Sequence, residues 1–119
     1  MQTLTQERCT ACRAGEPTLT DAELAELHTQ IPDWAIVARD RIRRLERTFK
    51  VPDFAAALAL TDKIGALAEA EGHHPAILTE WGRVTVTWWT HKIRGLHRND
   101  VIMAAKTDQL VAALQQGRR

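Results

Sequence analysis

The stretch Glu71-Gly72-His73-His74-Pro75, Ala76-Ile77-Leu78-Thr79-Glu80-Trp81, Gly82-Arg83, Val84-Thr85-Val86-Thr87-Trp88-Trp89-Thr90-His91 decides how the rest of the chain is read. Gly72 follows an apolar run of helical period and reads as a C-terminal cap. Pro75 fixes its own φ and biases His74 toward extended backbone, so the neighbouring imidazoles of His73 and His74 point to opposite sides. Two β-patterned runs follow, Ala76 to Trp81 and Val84 to His91, and Gly82-Arg83 between them predicts a hairpin. On its second strand Val84, Val86 and Trp88 face one way, and Thr85, Thr87, Trp89 and His91 the other. The alternation alone does not choose the buried face.

Working back from Gly72, Phe54, Ala57, Leu58, Thr61, Ile64 and Ala68 recur at helical spacing. Pro52 suits that helix's first turn, with Asp53 near its positive end. Before it, Trp34 to Ala38 and Ile42 to Phe49 flank the polar turn Arg39-Asp40-Arg41, a second hairpin. Earlier still, Thr20-Asp21-Ala22-Glu23 is a capping box opening a short helix with Leu24, Leu27 and Ile31 on one face. Downstream of His91, Asn99 is an expected N-cap, and Met103, Thr107, Leu110 and Leu114 form one stripe. The order α-β-β-α-β-β-α predicts an α+β domain, a four-stranded antiparallel sheet with helices on one face.

The chain has 119 residues, one domain's length, and a net charge of +1. That balance gives no whole-protein field drawing it onto nucleic acid or membrane, and no apolar run is long enough to span a bilayer. Residues 1–7 lack the basic-then-apolar layout of a secretory signal, so the expected location is cytoplasmic. Residues 1–18 read as a flexible leader, with Gly15 and Pro17 as breakers, and 19–116 as a single domain. Both cysteines lie in the leader as Cys9-x-x-Cys12. The pair follows no strand and has no second pair to complete a zinc site, so it reads as two thiols in a mobile segment, with His28 the completing ligand of the alternative. Arg39, Arg41, Arg43, Arg44, Arg47 and Lys50 crowd the first hairpin. They admit an anionic-ligand or nucleic-acid patch, but a solvated sheet edge that discourages pairing is the favoured reading.

His73, His74 and His91 admit three chemistries. A zinc ion would take them with Glu71 or Asp100 as fourth ligand, but side chains of adjacent residues diverge and no His-Glu-x-x-His signature is present, so no metal is expected. Acid–base catalysis needs groups that titrate near neutrality, one imidazole donating a proton while another accepts one. The chain has no serine and no cysteine near the histidines in sequence, which disfavours nucleophilic hydrolysis and leaves proton transfer. A structural role at a helix end and a strand end would suffice for any one of them, less well for all three.

With these residues quoted, the chain resembles the pterin-4a-carbinolamine dehydratases. The resemblance lies in Glu71 to Pro75, Trp81, Trp89-Thr90-His91-Lys92, Gly95-Leu96 through Asp100, and Trp34 after Ile31-Pro32-Asp33, and runs from about Leu19 to Leu114. It implies the same helix-hairpin-helix-hairpin-helix fold assembled as homodimers or homotetramers. The implied reaction is a lyase's: loss of water from a 4a-hydroxytetrahydropterin to give the quinonoid dihydropterin. That step belongs to tetrahydrobiopterin recycling after aromatic amino-acid hydroxylation and needs no metal or organic cofactor. By position, the resemblance implies His73 and His91 as the acid–base pair, His74 as the residue that binds and orients the pterin, and Trp34 and Asp100 as pocket lining or support. Glu71, Pro75, Trp81 and Thr90 are implied as further binding or supporting positions. Gly72, Ala76 and Arg94 depart from the residues the family often carries there. The alternative is a non-catalytic dimerisation or assembly module of the same fold, against which the intact histidine set argues.

Overall fold

Two tight turns set the register of the sheet. Asp40 and Arg41 both have positive φ (53° and 63°), the backbone of a two-residue hairpin turn, and they join β1 (Ala35–Arg39) to β2 (Ile42–Lys50). Gly82, at φ 80°, turns β3 (Ala76–Glu80) back into β4 (Arg83–Trp88). In the computed structural model, which describes residues 3–10 and 15–116, the two hairpins join through β2 and β4 into an antiparallel sheet of order β1-β2-β4-β3. Leu45 pairs with Trp88 and Phe49 with Val84 across that central seam. The helices are α1 (Asp21–His28), α2 (Phe54–Glu71) and α3 (Arg98–Gln116), with α2 and α3 packed on one sheet face. The α+β architecture expected from the pattern is the one that forms.

The face left open by the alternation is now decided. Val84, Val86 and Trp88 are buried under the helices with Leu45 and Phe49. The opposite face carries a polar lattice: Thr48 bonds Thr85 (2.9 Å), the Thr87 hydroxyl donates to Glu46 (2.9 Å), and Arg39 grips Glu46 through two N–H donors (2.7 and 2.9 Å). Arg44 lies over the Trp89 ring, 4.2 Å from its centroid. Arg43 meets Asp21, and Arg47 meets Asp108 and Asp33. Much of the basic run of the first hairpin is thus paired within the fold, which leaves little of it to serve an anionic polymer.

Several local expectations move by a residue or a face. The Thr20–Glu23 capping box forms as read, with both reciprocal bonds (2.9 and 3.1 Å). Asp53, rather than Pro52, opens α2: its carboxylate accepts from the Ala56 amide at 2.8 Å, placing Pro52 one residue before the cap. The buried stripe of α2 is Ala57, Leu60, Ile64 and Ala68, while Phe54 and Leu58 lie on the exposed side. A helix this rich in Ala and Leu is apolar around most of its circumference, so period alone could not fix its rotation. Asn99 falls inside α3. The helix is capped instead by His97, whose Nδ1 accepts from the Asn99 amide (3.0 Å) while Asp100 accepts from the His97 amide (2.9 Å). The side chain three residues into the helix bonding back to the cap is the capping-box arrangement, built from histidine and aspartate.

α3 buries Val101, Ile102, Met103, Ala104 and Ala105 in succession, which one contact face cannot do. The second cover comes from the N-terminal segment, where a short 3-10 turn, Leu4–Gln6, packs a buried Leu4 into the core beside α3. Residues 3–10 therefore lie along the domain; Cys12 lies outside the described residues.

Gly72 has φ 65°, the left-handed geometry of a helix C-cap, and its N–H reaches the carbonyls of Ala68 and Glu69. This cap turns the chain so that His73 leaves the helix toward α3. A Cβ there would meet open space, so Gly72→Ala is expected to cost only the left-handed strain, about 1–2 kcal/mol. Thermal melts of the two proteins measure it; an unchanged midpoint would mean the cap carries no strain.

Candidate active site

His73, His74, Thr90 and His91 come together with Glu71, Gly72, Lys92, Asn99, Cys9 and Thr10 around one cleft of about 470 Å³. The end of α2 brings the first two histidines. The end of β4 brings Thr90 and, in a 3-10 turn His91–Ile93 past the strand, His91. That turn is closed by a Thr90–Gly95 bridge (Thr90 N to Gly95 O, 2.9 Å) and by Arg94 in the left-handed region.

The most constrained of the three imidazoles is His73. Its Nε2 lies 2.6 Å from Asp100 Oδ1, and its ring stacks on Trp88 (centroids 5.7 Å apart, planes 7° apart). Asp100 is 0% exposed. Its second oxygen accepts from the Thr90 hydroxyl (2.7 Å) and the His97 amide (2.9 Å). An ionised carboxylate is an acceptor only, so against an ionised Asp100 the His73 Nε2 carries the hydrogen. Nδ1 then remains as the nitrogen able to exchange a proton. His74 is exposed, with Nε2 3.4 Å from Glu69. His91 is exposed and tilts against the Trp89 ring at 4.5 Å. Among the described residues, no three of His, Cys, Asp and Glu converge as a metal-binding group.

Glu71 faces inward but both its oxygens are taken: Oε1 accepts from the Cys9 amide (3.1 Å) and Oε2 lies 3.2 Å from Lys106 Nζ. The Cys9 amide first, then Lys106, hold its carboxyl below the ordinary 4.5. Burial, reinforced by the negative charge of Glu71, pushes the Cys9 thiol up to about 12. It is a neutral thiol near pH 7, not a nucleophile.

Two residues expected here lie elsewhere in this chain. Trp34 is 1% exposed in the core, edge-on to Phe49, with its indole N–H donated to Asp108 (2.9 Å). Trp81 sits 72% exposed at the β3–β4 turn. A five-residue strand separates it from the histidines, roughly 17 Å at about 3.3 Å per residue. Pro75 enters β3 beside the cleft without lining it. Sequence reasoning missed Trp88 as the surface under His73, His97 as the cap holding Asp100, and Cys9, Thr10 and Asn99 as wall. An acid three residues after His97 was the one available signal.

Comparison with known proteins identifies the family. The sequence profile of the family described as pterin 4 alpha carbinolamine dehydratase matches residues 17–110. A protein of Nitrosococcus oceani whose name places it among these dehydratases is 60% identical over 111 residues, covering 93% of this chain and 98% of that protein. A similarly named protein of Syntrophotalea carbinolica is 58% identical over the same length, 93% of this chain and 99% of its own. Among solved structures, a transcriptional coactivator/pterin dehydratase from Brucella melitensis aligns with a TM-score of 0.71 and 31% identity, over 79% of this chain and 98% of that one. A pterin dehydratase-like protein identified as a RuBisCO assembly factor of the alpha-carboxysome aligns at 0.56 and 25%, over 66% and 88%. The profile match over most of the chain and the near-complete coverage of close relatives place this chain in the pterin 4 alpha carbinolamine dehydratase family.

Proposed function

We propose that the protein is a 4a-hydroxytetrahydropterin dehydratase working by histidine acid–base catalysis. The observation that carries this is the buried Asp100 holding His73 at 2.6 Å while its other oxygen is fixed by Thr90 and His97. A purely packing histidine needs no buried carboxylate to set its tautomer. In the reaction the C4a–O bond breaks, the hydroxyl leaves as water with a delivered proton, N5 loses its proton, and the C4a=N5 double bond forms. Two imidazoles facing one cleft, His73 and His91, supply the proton and take one up. His74, exposed at the rim, binds and orients the ring. The step serves tetrahydropterin recycling after aromatic amino-acid hydroxylation in the cytoplasm, with no metal or organic cofactor. Assembly as a dimer or tetramer fits the free edge strands β1 and β3.

A second reading, a non-catalytic assembly module, draws on the carboxysome assembly factor of the same fold. The experiment that separates them is the dehydration of enzymatically generated 4a-hydroxytetrahydropterin followed by absorbance. Acceleration over the spontaneous rate is expected. No acceleration by folded protein would sink the dehydratase reading and favour the module.

A further inference from the structure

The cleft has one wall that belongs to neither hairpin nor helix. It is made by Cys9 and Thr10, at the end of a segment, Glu7–Thr10, that lies outside the stretch matching the family profile. The residues that hold this segment are those that border the histidines. Glu71, two residues before His73, accepts the Cys9 amide (3.1 Å). Asn99, next to Asp100, makes a two-point clasp on the Thr10 backbone: its Oδ1 accepts from the Thr10 N–H (3.0 Å) and its Nδ2 donates to the Thr10 carbonyl (2.7 Å). Arg98 holds Glu7 with two parallel bonds of 2.8 Å. Asn99 is buried, so this clasp satisfies an amide that otherwise would lack partners.

Covering α3 does not require these bonds. Leu4 already covers the flank of the helix, three residues upstream of the clasped segment. The clasps instead fix main-chain atoms at Cys9 and Thr10, the two leader residues that line the cleft. Their polarity also suits a wall: a thiol that stays neutral and a threonine beside a heterocycle that offers both donors and acceptors.

We propose that Glu7–Thr10 is a substrate-binding strap, with Cys9 and Thr10 forming the wall that holds the pterin ring against the histidines. This rests on the dehydratase reading of the cleft and adds a residue set to it. The strap binds ground state and transition state alike, so loosening it raises KM and leaves kcat nearly unchanged.

The test is steady-state dehydration of 4a-hydroxytetrahydropterin by the full chain and by two strap variants, with melting temperatures of each. Thr10→Pro deletes the N–H given to Asn99, and Glu7→Ala removes the grip of Arg98. Thr10→Pro is expected to raise KM about tenfold, equivalent to about 1.4 kcal/mol of binding, and Glu7→Ala, which loses one part-exposed ion pair, about threefold, each with kcat close to that of the parent. A strap that only stabilises the fold would lower the melting temperature and leave KM at the parent value; that result in a folded variant overturns the proposal. Should Thr10→Pro fail to fold, Glu7→Ala decides alone, because its change lies at the surface end of the strap. An inactive parent chain is a different failure: it removes the dehydratase reading, and the strap proposal with it, before any variant is compared.

Discussion

Replacing His73 by alanine is expected to lower kcat for pterin dehydration by about 10²–10⁴-fold, the usual worth of one positioned acid–base group. The size follows from how completely the ring is fixed. It is stacked on Trp88, bonded to Asp100, and 11% exposed at the side chain. No neighbouring group can take its place, since His74 points to Glu69 and His91 leans on Trp89. The fold should survive the change. Asp100 keeps the Thr90 hydroxyl and the His97 amide as donors, and the space left by the ring opens to the cleft. His91→Ala should also reduce kcat, and the double variant should leave no measurable acceleration with secondary structure retained. His74→Ala should act on KM, as befits a group at the rim. A His73→Ala protein with kcat within threefold of the parent would show that the proton passes elsewhere, and the assignment of the acid–base pair would fall.

Much of this was legible in the sequence because it was written in local signals. Turn residues and alternation define both hairpins, Thr20 and Glu23 mark the first helix, and Gly72 marks the end of α2 where the histidines begin. The histidine cluster was legible for the same reason, as each imidazole sits beside a chain reversal. What was not legible depends on distance in sequence. The Asp100–His73 bond spans 27 positions, the Thr10–Asn99 clasp 89, and the Cys9–Glu71 bond 62. No periodicity reports such pairs. Asn99 and Glu71 carry local meanings, a helix cap and a binding carboxylate, that the tertiary structure overrides by giving each a partner in the leader. Phe54 and Leu58 share the helical spacing yet lie exposed for a related reason: α2 is apolar on more than one side, and only the packed sheet selects which side is covered.

The same long-range dependence makes Asp100 the position where stability and chemistry can be pulled apart. Asp100→Ala is expected to destabilise the protein by several kcal/mol, because three donors lose their acceptor at once: the His73 ring N–H, the Thr90 hydroxyl and the His97 amide. Each buried group left unsatisfied costs about 1–3 kcal/mol, against a total stability of about 5–15 kcal/mol for a domain. The His97 amide also belongs to the cap of α3, so that helix's first turn should fray with it. Asp100→Asn has the same shape and a different consequence. Its carbonyl oxygen can still accept from Thr90 and His97, while its amide presents N–H groups to His73. The ring must then accept at Nε2 and carry its hydrogen on Nδ1, the wrong tautomer for taking up a proton there. Asp100→Asn should therefore melt within a few degrees of the parent yet lose about 10²-fold or more in kcat, close to His73→Ala. Melting curves and dehydration rates for the two variants decide the matter together. A stable Asp100→Ala protein would mean the three donors find other acceptors, and an active Asp100→Asn protein would mean that the tautomer of His73 does not govern the reaction.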